Sequence, residues 1–131
     1  MAEKKVTPTE VQSEEAKIEP VMIYDKNGNF KYLLEFDRNT VKFAEQRGLK
    51  PQTIEGNMGM IEIEELFYCS FRKHQPKMSK ADTDKVIKEI GGITPKLLVR
   101  LCQLFELPYT ELLTDDENEE NEKNSVLTVK F

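Results

Sequence analysis

The apolar and polar positions of this chain are organised around one stretch, MIEIEELFYCSFRKHQP, running from Met60 to Pro76. Met60, Ile63, Phe67, Phe71 and His74 recur at the three- and four-residue spacing of a helix face, and Ile61, Leu66, Tyr68 and Cys69 add apolar groups on the flanks. A helix apolar on most sides has to be covered, either by the rest of its own domain or by a second molecule. The pattern predicts this helix over about 60–74, stopped before Pro76.

Upstream, VMIYDKNGNFKYLLEF places two aromatic-rich runs on either side of Asn27-Gly28, a hairpin signal that predicts a type I′ turn between strands at about 20–25 and 30–36. FDRNTVKFAEQRG predicts a short helix over about 40–47, capped by Asn39 or Asp37, ended at Gly48 and turning Val41 and Ala44 inward. LKPQTIEGNMG reads as a loop. Ser79 and Asp82 form a capping box for a helix over about 79–90, which Gly91-Gly92 ends. Thr94 caps and Pro95 opens a last helix with Leu97, Leu98, Leu101, Leu104 and Phe105 as its buried stripe. Pro108 is expected to end that helix, with YTELL as one further turn reaching 113. The fold class expected is therefore mostly α: a small bundle of about four helices with an N-terminal β-hairpin (α+β) and flexible charged tails.

Residues 1–17 mix charge with Thr, Ser and Pro and are expected to be a disordered tail, followed by a single globular domain over 18–114. Residues 115–131 are expected to form an acidic flexible tail with a strand-like end, SVLTVKF, which either pairs with the hairpin edge or stays unstructured. The net charge of -5 belongs to that tail, where DDENEENEK carries six acids against one lysine. Residues 36–113 are near neutral, so charge does not argue for nucleic acid or an anionic membrane. No apolar run approaches the roughly 18 residues of a membrane span, and the N-terminus lacks the apolar centre of a signal peptide. Cytoplasmic location and reduced, buried thiols at Cys69 and Cys102 are the corresponding expectations.

Candidate chemistry is sparse. The one histidine, His74, sits before a proline at a helix end, as a surface or capping residue does. Cys69, His74 and Cys102 lack zinc-ligand spacing, and neither glycine cluster follows the pattern of a phosphate loop. No catalytic residue, cofactor or metal is expected. Arg72, Lys73, Lys77, Lys80 and Lys85 form a basic group that reads as a solvated helix end, as a site for phosphate or an acidic partner, or as a receiver for the acidic tail. Met58, Met60, Phe67, Tyr68, Phe71, Arg72 and Lys73 are the candidate partner-binding residues, with the competing reading that the same aromatics are monomer core. ITPKLLVRLCQLFELPYTELL is similar to the closing helices of repressor-type helix-turn-helix domains, but the helix that would read DNA, KADTDKVIKEIGG, carries two aspartates.

Three pieces carry a wider resemblance over about residues 33–113: EFDRxxVKFAExRG, ELFYxxFRxHxPKxSKxxTDKxxxEIGG and LxxRLxxLFExPxxxLL. Together they resemble the tail assembly chaperones of long-tailed (siphovirus-type) phages and prophages of Gram-positive bacteria. The resemblance implies a non-enzymatic protein of the host bacterial cytoplasm, absent from the mature virion. It implies binding to the tape measure protein and, through a frameshifted longer form, to the tail tube protein, along with homo-oligomers. A repressor-type helix-turn-helix DNA-binding protein and a structural head-tail joining protein are the alternatives.

Overall fold

The fold is seen in a computed structural model, which describes residues 18–113 and 126–131. The expectations for the N-terminal tail and for the acidic run fall outside the described residues. The molecule is a mostly helical α+β domain with an N-terminal two-stranded hairpin and, among the described residues, five helices: β1 (Val21–Tyr24), β2 (Phe30–Leu34), α1 (Arg38–Gln46), α2 (Pro51–Glu55), α3 (Met60–Ser70), α4 (Lys80–Ile90) and α5 (Pro95–Leu112).

β1 and β2 pair antiparallel, with Val21 opposite Leu34, Met22 opposite Leu33 and Ile23 opposite Tyr32, and the register slips between Ile23 and Tyr24. The turn differs from the type I′ expected. Gly28 N–H donates to Asp25 C=O, which puts Lys26 and Asn27 at the centre, and Gly28 follows with φ +86°. The left-handed glycine thus follows the two central residues of the turn and is not one of them, in a loop longer than two residues. Asp25 selects it by accepting from the N–H groups of both Asn27 and Asn29 through one carboxylate oxygen.

Local capping sets the helix starts. Asp37 accepts from Thr40 N–H while Thr40 Oγ1 accepts from Asp37 N–H, so α1 begins at Arg38, two residues before the expected start. Ser79 and Asp82 make the same reciprocal pair at α4, and Thr94 Oγ1 accepts from Leu97 N–H at α5. α4 ends at Gly91, where φ is +85° and the left-handed backbone suits glycine.

Three elements depart from the sequence pattern. α2 occupies part of the expected loop: Pro51 stands in its first turn, where a missing N–H costs nothing, and Ile54 is buried. α3 ends at Ser70 and not near His74 because the Ser70 carbonyl accepts from Glu35 N–H at the end of β2, while His74 N–H turns to Phe71 C=O. α5 runs through Pro108 without stopping. Pro108 is buried, and the turn beyond it is held by Tyr109, whose ring lies 5.6 Å from Phe105 and whose hydroxyl donates to Glu45.

α3 lies at the centre, touching α1, α4 and α5, while α5 also meets α1 and β1. Leu66, Phe67, Cys69 and Phe71 are buried with Leu34, Ala44, Leu49, Leu101 and Phe105. Edge-to-face contacts run from Tyr32 to Phe71 at 5.4 Å, from Phe71 to Phe67 at 5.0 Å, and from Phe36 to Phe105 at 5.4 Å. The hairpin is fastened at its start by Arg100 of α5, whose guanidinium donates to the Glu19 carbonyl at 3.0 Å. Residues 126–131 form no regular element and pair with neither strand of the sheet.

Candidate functional site

The seven residues expected to bind a partner divide among two surfaces and the core. Phe67 and Phe71 belong to the core: both are essentially fully buried and present nothing to a partner. They sit on the side of α3 that meets Tyr32 and the α5 stripe, and that packing removes them from the surface.

Met58 lines a groove of about 380 Å³ with Ile54, Leu98, Val99 and Cys102, rimmed by Asn57, Gln103 and Glu106. Val99 is exposed on the α5 wall. The first turn of α3 follows Met58 directly and leaves Met60 and Ile61 77% and 72% exposed. Among the described residues, the only side-chain bond fixing that turn is local, from Gly59 N–H to Glu62 Oε1 at 2.8 Å. This region thus combines an apolar groove with two uncovered side chains at the helix start that follows it in the chain.

Tyr68, Arg72 and Lys73 belong to a second surface, whose other members are Phe43 of α1 and Arg47, the residue that follows that helix. The Arg47 guanidinium lies 4.8 Å from the Tyr68 ring centroid, and that of Arg72 lies 4.1 Å from the centroid of Phe43. Arg47 also grips Glu65 with two bonds of 2.6 and 3.0 Å, and Lys80 reaches Glu65 at 3.3 Å. The Arg47 hydrogen bond holds the Glu65 carboxyl below its ordinary value, outweighing the burial that would raise it. Lys73 and His74 converge on Glu35 at 3.1 and 2.6 Å. Burial alone would raise the Glu35 carboxyl, but the two hydrogen bonds together hold it low.

Three of the five basic residues are consequently engaged within the domain. Lys73 and Lys80 are in ion pairs and Arg72 covers an aromatic ring, which leaves Lys77 and Lys85 without an ion pair among the described residues. Sequence reasoning singled out Tyr68 and Arg72 but not Phe43 and Arg47. The signal for them was an aromatic residue four positions before an arginine, found twice, as Phe43–Arg47 and Tyr68–Arg72, which is one helical turn in each case.

A second concavity, about 520 Å³, lies between α1 and the end of α5, with Val41, Pro108 and Leu112 in its lining and Arg38, Lys42 and Glu45 as its charged groups. Burial and then the bond to Glu45 push the Tyr109 phenol above its ordinary value, so it stays protonated and serves as a donor. Burial likewise pushes the Cys69 thiol up to about 12. Among the described residues, no three His, Cys or carboxylate groups are placed to hold a metal ion. No described helix is long and apolar enough to cross a membrane.

What this arrangement can do is bind apolar side chains along the Met58 groove and hold its own helices in register through the arginine–aromatic stack. No curated protein and no solved structure matches the chain. One family does match, over residues 2–131, described as a domain of unknown function, and the chain belongs to that family, DUF5055.

Proposed function

We propose that this protein is a non-enzymatic phage tail assembly chaperone, which binds the tape measure protein before the tail tube encloses it. The observations that carry the reading are the apolar groove lined by Met58 and, two and three residues further along the chain, the uncovered Met60 and Ile61. An unassembled tape measure protein exposes apolar helical stripes, and a groove of this kind takes such a stripe in helix-in-groove fashion. Methionine suits the task because its unbranched, polarisable side chain adapts to successive stripes that are not identical. The resemblance over residues 33–113 supports the same reading. In this proposal the protein works in the host bacterial cytoplasm, is absent from the mature virion, forms homo-oligomers and meets the tail tube protein through a longer, frameshifted form.

The test is co-expression with the tape measure protein of the same phage, followed by pull-down and size exclusion. A soluble co-complex is expected where the tape measure protein alone precipitates, with Val99→Asp at the groove wall weakening it at least tenfold. Absence of association at every salt concentration overturns the proposal. Salt-dependent retention of duplex DNA would favour the repressor-type alternative, and recovery of the protein from purified virions would favour the head-tail joining one.

A further inference from the structure

We propose that residues 126–131 of one copy add as a third strand to the β1–β2 hairpin of a second copy. Among the described residues the hairpin is a sheet of two strands, a size that is marginal alone in water and leaves backbone groups unpaired along its edges. Its inner face, Val21, Ile23, Tyr32 and Leu34, packs on the core. An antiparallel sheet with one face in water normally turns polar residues outward. This one does not: Met22, Tyr24 and Phe30 are each more than half exposed, and Leu33 stands opposite Met22. The rings of Tyr24 and Phe30 meet edge to face at 6.0 Å, so the outer face is a preformed apolar platform.

The complement lies on the same chain. From Val126 to Phe131 the sequence alternates, with Leu127, Val129 and Phe131 on one side and Val126, Thr128 and Lys130 on the other. All four of Val126, Leu127, Val129 and Phe131 are at least 75% exposed. Laid against a free hairpin edge, the segment would satisfy unpaired backbone groups. Leu127, Val129 and Phe131 would extend the platform of Met22, Tyr24 and Phe30, and the alternation would fix the register.

Within one chain the six residues stand free of both strands. Twelve residues separate them from the end of the domain at Leu113, enough to span about 40 Å when extended and so to reach a neighbouring molecule. Each copy therefore offers a donor segment and an acceptor edge that are different parts of the chain, the arrangement that produces head-to-tail contacts. This inference is independent of any tape measure partner.

The test is light scattering on the full-length protein across a concentration series. The mass is expected to rise from one chain to multiples of it. The donor-defective double variant Leu127→Asp with Val129→Asp, and the acceptor-defective variant Tyr24→Asp, should each stay at single-chain mass with unchanged circular dichroism. Mixing the two variants should restore a dimer, because each supplies what the other lacks. A single-chain mass for the unaltered protein at all concentrations overturns the proposal, as does an oligomer that survives both variants or a mixture that fails to associate.

Discussion

The first turn of α3 and its last two turns have similar apolar content and opposite surroundings. Met60 and Ile61 are largely exposed, whereas Leu66, Phe67 and Cys69 have no accessible surface. Neighbours make the difference. The side chains that reach across to α3 arrive from Glu64 onward: Lys80 at Glu64, Arg47 at Glu65, Phe43 at Tyr68 and Tyr32 at Phe71. Apolar content says that a helix must be covered, and the order of the other elements decides which part the chain covers itself. The uncovered part is what the proposed tape measure partner would cover.

The strongest way to break this contrast is to cut one residue from the covered half. Phe67→Ala is expected to lower unfolding free energy by about 3–5 kcal/mol in urea titration, since it removes a ring from a site with little freedom to collapse. A loss below about 1 kcal/mol would show that the covered half is loosely packed. At the junction between the halves, Arg47→Met should cost about 1 kcal/mol, because the guanidinium is partly in water and the unbranched apolar side chain of methionine preserves some of the contact with Tyr68.

The same junction should show in acid. The folded-state carboxyls of Glu65 and Glu35 are held below their unfolded values, so their contributions are fully present above the ordinary carboxylate value of 4.5 and are lost as pH falls through the lowered ones. Stability should be flat from pH 7 to about 5 and fall below about pH 4. Arg47→Met should make that fall shallower. An acid limb unchanged by the variant would remove Glu65 from the account.

At the exposed end, Met60→Ala should move stability by less than about 0.5 kcal/mol while weakening capture of the tape measure protein. A large stability loss would mean that the first turn is covered after all. The gentlest probe needs no substitution. A thiol reagent applied to the folded protein should modify half-buried Cys102 first and leave Cys69 untouched until global unfolding, because Cys69 is buried and burial keeps its thiol protonated.

What was legible in the sequence was what is decided within a few residues. Asp37, Ser79 and Thr94 cap their helices with their own side chains, and Gly91 ends one by its own backbone freedom, so no distant partner was needed to foresee them. The α5 stripe was legible for the same reason. The illegible features each depend on something far along the chain. α3 stops at Ser70 because a carbonyl there is taken by Glu35, 35 residues earlier. α5 survives Pro108 partly because Tyr109 is anchored to Glu45, 64 residues away. The candidate site was half legible. The Met58 and Met60 surface could be suspected from methionine and glycine near a helix start, but the separation of Tyr68 from Phe67 and Phe71 required knowing which side of α3 meets the hairpin and α5.

The bond from Arg100 to the Glu19 carbonyl bridges 81 residues. A chain that must close so large a loop gains nothing from that contact until nearly everything between is in place, since the entropy of closure grows with loop length and is met before the contact is made. The hairpin is therefore expected to dock late in folding and to be the first part to detach from the folded domain, with its amides exchanging with solvent sooner than those of α3. In a newly synthesised chain, the N-terminal segment would wait, with its aromatic strands uncovered, until the ribosome has delivered the helix that fastens it.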